Sequence, residues 1–127
     1  MKFKRRKDMS LFFALHPALI MIYADLYWYS KNKHDVELVI TSTVSNPIKD
    51  KLLGRVSNSH SQHRALDIRT KDLDAFVVQD ICDYINYKDE YEEFRYLSSS
   101  GVYRLAFLHT TNAPHIHLSI HSKYAIK

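Results

Sequence analysis

The sequence predicts an α+β fold, a single domain in which a small antiparallel sheet is flanked by helices. Of the 127 residues, 46% are hydrophobic, which is enough for one core and leaves no room for a second domain. Two stretches carry apolar residues at helical spacing, and the β-branched or alternating stretches between and after them are typical of strands. We therefore predict one domain over residues 1–127.

The most basic part of the chain is its N-terminus. The net charge is +4, and lysines and arginines are spread along the chain apart from a cluster between Lys2 and Lys7. We expect residues 1–9 to form a flexible basic N-terminus, because chain ends are often poorly ordered. Cys82 is the only cysteine, which excludes an intrachain disulfide and a cysteine-rich zinc site.

An apolar run over residues 11–24 has the outline of a signal peptide or membrane anchor. His16 and Pro17 interrupt it, and it falls short of the ~20 apolar residues that span a bilayer. We therefore expect neither a signal peptide nor an integral membrane segment. Pro17 instead suits the first turn of a helix, predicted over residues 17–29. The apolar face of this helix consists of Leu19, Ile20, Tyr23, Leu26 and Tyr27.

Two strands are predicted in the middle of the chain. The β-branched run at residues 36–43 predicts the first, and the polar residues 48–63 suit a loop or short helix. Residues 64–69 then form a short strand that carries Asp67.

A second amphipathic helix follows. Thr70 and Asp72 are both capable N-caps, so the helix is predicted to begin near one of them. Its buried face is predicted to comprise Phe76, Val77, Ile81, Tyr84 and Ile85. The charged residues 88–93 are predicted to be exposed.

The C-terminal part predicts two antiparallel strands, residues 102–108 and 115–121, joined by residues 110–114. Side chains alternate between the two faces of a strand. One face of the last strand therefore presents His115, His117, Ser119 and His121, and the other presents Ile116, Leu118 and Ile120. We expect the apolar face to join the core and the histidine face to carry the chemistry.

His60 and Asp67 complete a possible metal site with the late histidines. Two neutral imidazoles and one carboxylate are a ligand set that catalytic zinc uses while keeping a fourth position open for water. An isolated His with an Asp seven residues later is a weak signal, as are alternating histidines on a strand. Their joint occurrence predicts a zinc hydrolase.

These residues resemble the zinc DD-peptidases, a family that includes the D-Ala-D-Ala carboxypeptidases, phage endolysins and the related hedgehog signalling domain. The first motif of the family is Ser-x-His-x-x-Gly-x-Ala-x-Asp, and His60, Ala65 and Asp67 match it. His63 stands in place of the glycine, and Asn58 in place of the serine. The late His-x-His motif is matched within residues 114–118, and the order of elements agrees over most of the chain. The resemblance implies a hedgehog/DD-peptidase fold and a small phage-type member.

The resemblance leaves two registers for the site. In the first, His60, Asp67 and His117 bind Zn²⁺, and His115 is the catalytic base. In the second, His115 is the metal ligand and Asn112 stands in the base position, where an amide cannot accept a proton at neutral pH. We favour the first register, because His117 lies within the strand and backbone pairing would hold it rigidly.

The substrate-binding arginine of the family has no clear counterpart after the first strand. Arg64 and Ser59 are the weak candidates for substrate binding, and Ser59 flanks the position of the motif serine. Arg55 and Arg69 are alternatives to Arg64.

The function implied by the resemblance is that of a hydrolase, a zinc metallopeptidase that cleaves peptide bonds in the peptidoglycan stem. It would be a carboxypeptidase or an endolysin used in cell-wall degradation. As a phage protein it would be made in the cytoplasm of a host cell and act, as a monomer, on the cell wall. The alternative is a catalytically inactive zinc-binding module of the same fold.

Two other classes of protein share some features of this sequence. A nucleic-acid-binding protein would use the basic N-terminus and the nine tyrosines, but the sequence shows no recognition helix, aromatic RNP-type motif or dense basic stripe. We therefore expect no nucleic-acid partner. A metal-free structural domain, in which the histidines only form hydrogen bonds, is the remaining alternative.

Overall fold

A computed structural model of the chain describes residues 1–45, 51–52, 59–110 and 113–126. The helices in this part are α1 (Arg6–Phe12), α2 (Pro17–His34) and α3 (Ala75–Asn86), with 3-10 turns at Asp89–Phe94 and Ser122–Tyr124. The strands are β1 (Lys2–Phe3), β2 (Val39–Ser42), β3 (Ala65–Arg69), β4 (Tyr96–Leu97), β5 (Tyr103–Arg104), β6 (Ala106–His109) and β7 (His115–Ser119). The prediction of a single α+β domain is confirmed.

The main sheet is mixed, whereas the sequence predicted an antiparallel one. Its strand order is β1-β2-β3-β7-β6, and β4 and β5 form a separate small antiparallel sheet. β1 runs parallel to β2, while every other pairing in the main sheet is antiparallel. The difference arises at the N-terminus, because the strand that adds the parallel pairing was not predicted.

The N-terminus is part of the fold, so the prediction that residues 1–9 form a flexible extension was wrong. Lys2 and Phe3 pair with β2, and the backbone N–H of Lys4 donates to the Ile40 carbonyl at 2.8 Å. The Phe3 ring packs edge-on against Phe12 at 5.6 Å between ring centroids. Strand pairing and aromatic packing therefore hold α1 against the sheet.

One core is shared by α2, α3 and one face of the sheet. Ile68, Ile116 and Leu118 are fully buried on the strands, as the alternation predicted for the last one. The helices contribute Leu19, Ile22, Tyr23 and Leu26 from α2, and Val78, Ile81, Cys82 and Ile85 from α3. Complete burial of each aliphatic side chain is worth about 1.5–3 kcal/mol. The histidine face of β7 is thereby left on the side of the sheet away from this core.

The helix bounds differ from the predicted ones. α2 runs one turn past residue 29 to His34, and Asp35 ends it in a left-handed conformation with φ 53°. α3 begins at Ala75 after Asp74, later than Thr70 or Asp72. Phe76 was predicted to be buried but is 71% exposed and lies edge-on to His34. Ile81 and Ile85 are fully buried as predicted, and Val77 and Tyr84 are partly buried against the core. Val78 and Cys82, which were not predicted, complete the buried face at the spacing of one helix face.

The segment after α3 is only partly exposed, contrary to prediction. Within the 3-10 turn at Asp89–Phe94, Tyr91 is buried and its hydroxyl donates to Asp25 at 2.6 Å.

No single described helix has the length and apolar composition needed to cross a membrane. α1 and α2 together pass that test only as a pair bent by 119°.

Candidate metal centre

Three side chains converge on the face of the sheet away from the core. Asp67 lies in the middle of β3, directly opposite His117 on β7. His60 lies in the turn that leads into β3, seven residues before Asp67. His60 Nε2 is 3.2 Å and His117 Nδ1 is 3.1 Å from the same carboxylate oxygen, Oδ1 of Asp67. One nitrogen or oxygen from each side chain lies within 4.8 Å of the others, so the group could hold a metal ion.

The tautomer of His60 is fixed by its backbone partner. His60 Nδ1 is 2.7 Å from the carbonyl oxygen of Thr43, and a carbonyl only accepts hydrogen bonds. Nδ1 therefore carries a proton. Nε2 can donate to the Asp67 carboxylate only in the imidazolium form, and in the neutral ring it presents a lone pair to that carboxylate. Two facing lone pairs require a cation between or beside them, either a proton or a metal ion. A carbonyl partner on the far nitrogen is the usual arrangement for a histidine that binds metal.

The pKa shifts of Asp67 and His117 favour the protonation states in which these side chains bind a metal. Burial by itself would raise the pKa of Asp67, but the hydrogen bonds and charges of His117 and His60 outweigh it and hold that pKa far below its usual range. Burial lowers the pKa of His117, against the opposing effect of Asp67. An ionised carboxylate and a neutral imidazole are the forms that coordinate metals.

His115 borders the group but stands apart from its three members. Its Nε2 lies 3.6 Å from Asp67 Oδ1, and its side chain is 25% exposed. His115 Nδ1 donates to the Ala113 carbonyl at 3.0 Å, so the neutral ring keeps a lone pair at Nε2. The ring stacks on His109 with 5.1 Å between centroids. Asn112, the base position of the second register, lies outside the described residues.

His63 adopts a left-handed backbone conformation, with φ 61°. The motif that this segment resembles has glycine at the same position, the one residue type that takes such a conformation without cost. In this chain the His63 ring contributes a hydrogen bond from Nδ1 to the Ala14 carbonyl at 2.8 Å. The turn that presents His60 is therefore retained although its glycine is absent.

The backbone conformation of residue 63 predicts the order of stability of two variants. His63→Gly and His63→Ala both lose the ring, so their difference reports on the positive φ, reduced by the greater entropy of glycine in the unfolded chain. We expect the glycine variant to be more stable by about 1 kcal/mol, since an alanine at positive φ is strained. Urea unfolding of the two proteins measures the difference. An alanine variant as stable as the glycine variant would contradict the left-handed turn.

The weak substrate-binding candidates are engaged elsewhere in the fold. Arg64 donates from Nε to the Gln62 side chain at 2.8 Å and from Nη1 to the Ile120 carbonyl at 3.0 Å. Ser59 is buried, and its carbonyl accepts from the Arg64 N–H at 3.1 Å. Arg69 is paired with His115 across the sheet, on the same face as Asp67, and is half-buried. Arg55 lies outside the described residues.

Sequence reasoning missed three contributors to the site. Thr43 acts through its carbonyl, and backbone atoms leave no mark on residue type. Asp8 is fully buried and binds Thr43, although its basic surroundings indicated a solvated tail. Phe107 lies opposite His117 in the sheet, and the two rings are 5.4 Å apart. Residues 105–108 are all apolar, so no alternation marks the face on which Phe107 lies.

Comparison with protein-family models, curated proteins and solved structures gave no match to this chain. The site therefore has to be interpreted from its own donors. Two imidazole nitrogens and one carboxylate oxygen, converging from a turn and two paired strands, can bind a divalent cation and leave further coordination positions for a small molecule or substrate.

Proposed function

We propose that this protein is a zinc metallopeptidase that cleaves a peptide bond in the peptidoglycan stem. The observation that carries the proposal is the His60 ring, whose Nδ1–H is fixed on the Thr43 carbonyl at 2.7 Å so that its Nε2 lone pair faces Asp67 beside His117. The choice of substrate rests on the resemblance of the His60–Asp67 and His115–His117 segments to zinc DD-peptidases.

The donor set fits zinc. Two histidines and one carboxylate are a ligand combination found in hydrolytic zinc sites, and the single cysteine, Cys82, is buried in the core away from the group. His60, Asp67 and His117 would hold the ion. Bound zinc would supply a water of lowered pKa and would polarise the scissile carbonyl.

His115 is the residue we assign to proton transfer. Its Nε2 lone pair lies at the border of the group, while Nδ1 is held by Ala113, so the ring can accept a proton without leaving its place. The stack on His109 fixes the plane of the ring. Such a base would take the proton of the attacking water and return it to the leaving amine.

Arg69 is the better placed of the described candidates for the substrate carboxylate. It shares a face with Asp67 and His115, and its guanidinium has no hydrogen-bond or ion-pair partner within residues 1–45, 59–110 and 113–126. A guanidinium binds a carboxylate through two parallel hydrogen bonds. Arg64, by contrast, already donates to Gln62 and Ile120.

A zinc-binding module without turnover is the second candidate, and one observation favours it. Among the described residues, Asp67 is the only carboxylate in the metal group. Because Asp67 serves as a ligand, catalysis depends on His115 alone. A site in which His115 does not accept the proton would bind the metal and leave the peptide intact.

Digestion of purified peptidoglycan tests the proposal. The zinc-loaded protein should release peptide fragments whose masses identify the bond cut, and the metal-stripped protein should release none. The Asp67→Ala variant is the matched control. A zinc-loaded protein that releases no fragment from peptidoglycans of different stem composition would favour the zinc-binding module.

Metal affinity is expected to fall between about pH 7 and pH 5. The lowered pKa of Asp67 keeps that carboxylate ionised throughout this window, so the loss comes from the imidazoles, whose ordinary pKa is about 6.5. Protons compete with the metal for the imidazole lone pairs, so affinity is full above their pKa and declines below it. Because the pKa of His117 is lowered, its contribution to the loss of metal affinity occurs at lower pH. Chelator competition at several pH values measures the profile, and a flat one would exclude histidine ligands.

A further inference from the structure

A buried carboxylate on the N-terminal helix lies next to the backbone that orients His60. Asp8 is fully buried on α1. Its Oδ1 accepts from the Thr43 N–H at 3.0 Å and from the Thr43 hydroxyl at 2.6 Å, and its Oδ2 accepts from Arg5 Nε at 2.7 Å. Three donors therefore fix this carboxylate, and two of them belong to one residue.

Thr43 is also the residue whose carbonyl holds the His60 ring. β2 ends at Ser42, so Thr43 lies one residue beyond the last position held by the sheet. Its side chain is nevertheless fully buried, and Asp8 fixes both its N–H and its hydroxyl. The direction of the Thr43 carbonyl, and with it the plane of the His60 ring, is set through Asp8.

We propose that Asp8 is a positioning residue for the metal centre, acting through Thr43 on His60. The inference rests on the proposed metal function of His60, Asp67 and His117. It assigns the N-terminal segment a role in the site: β1 pairs with β2 and places α1 where Asp8 reaches the end of that strand. Partners outside the ligand set fix the tautomer and orientation of a ligand histidine, and their loss typically costs about 10- to 100-fold in metal affinity.

The test is the zinc dissociation constant of Asp8→Ala, measured by chelator competition below the unfolding temperature. We expect it to rise by about 10- to 100-fold relative to the unsubstituted protein. Substitution of Co²⁺ for zinc gives a second readout, because the visible spectrum of the cobalt protein reports ligand geometry. The spectrum should change in Asp8→Ala.

Asp25→Ala is the matched control for a general loss of stability. Asp25 accepts from Tyr84, Lys88 and Tyr91 at 2.6–2.7 Å, so its removal also deprives several donors of a carboxylate, but the network links α2 to α3 and the following turn rather than to the metal group. We expect Asp25→Ala to keep the zinc affinity and the cobalt spectrum of the unsubstituted protein. A loss of affinity in Asp25→Ala equal to that in Asp8→Ala would overturn the positioning role.

Thr43 variants keep the proposal testable if Asp8→Ala does not fold. Thr43→Val removes the hydroxyl donor at nearly constant volume and should weaken zinc binding about threefold or more, whereas Thr43→Ser retains the donor and should restore the affinity. If the unsubstituted protein binds zinc and neither Asp8→Ala nor Thr43→Val changes the affinity, the positioning role fails and the proposed metal site stands. If the unsubstituted protein binds no zinc, both fail.

Discussion

Replacing Asp67 with alanine should abolish metal binding while leaving the fold in place. Asp67 Oδ1 is the atom on which His60 and His117 both converge, so its loss removes one ligand and the point at which the two rings meet. Elemental analysis should show a fall from one zinc per chain to below about one tenth, since two remaining imidazoles cannot hold the ion against dilution. The sheet should persist, because Asp67 lies on the face away from the core.

Two further variants test whether the loss of zinc is specific to the charge and position of Asp67. Asp67→Asn keeps the shape of the side chain but not its charge, and it should lose most of the zinc as well. His34→Ala is the control: the His34 side chain is about as buried as that of Asp67 and pairs with Asp80 at 2.7 Å, between α2 and α3. This variant should still bind one zinc per chain. Full occupancy in Asp67→Ala would remove this residue from the metal site.

The convergence of the ligands followed from two local features of the sequence. The alternation of His115–Ile120 placed His117 on the face opposite the core, because a period of two allows only one buried face. The spacing from His60 to Asp67 placed one histidine in a turn close to a strand. Their meeting also required β3 to pair with β7 so that Asp67 lies opposite His117. The sequence contains no direct signal for that register. The motif resemblance predicted Asp67 and His117 as ligands of one metal, but not the pairing of their strands.

The contributions of the N-terminus could not be predicted for a physical reason. A strand of two residues has too few side chains to show alternation, so β1 and its parallel pairing with β2 left no pattern. The burial of Asp8 depends on Thr43, 35 residues later, and composition indicated a solvated basic tail instead. Long-range partners of a single carboxylate are not encoded in local spacing.

The one wrong residue in the predicted buried face of α3, Phe76, has a geometric origin. Successive residues of a helix point about 100° apart. An apolar residue can therefore lie outside the face that contacts the core. Phe76 was assigned to the core because it is apolar, yet it lies at the start of α3 beside His34. Cys82, small and weakly polar, takes a buried position instead.

Replacing His115 with alanine should separate the catalytic role from the metal. In the register we favour, His117 binds zinc and His115 only transfers protons, so the variant should keep one zinc per chain. Under the proposed function, the rate of peptidoglycan hydrolysis should fall by about 10²–10⁴-fold, the range for loss of a general acid–base group. The position of His115 Nε2, 3.6 Å from Asp67 Oδ1 and outside the three-membered group, favours this outcome.

The second register makes the opposite prediction for the same variant. If His115 is the ligand, His115→Ala should lose its zinc, and Asn112→Asp should raise activity by restoring a carboxylate in the base position. Zinc content and peptidoglycan hydrolysis are therefore measured on both variants together. A zinc-loaded, inactive His115→Ala beside an unchanged Asn112→Asp supports His117 as the ligand. A zinc-free His115→Ala beside an activated Asn112→Asp assigns the metal to His115 and leaves His117 with a supporting hydrogen bond to Asp67.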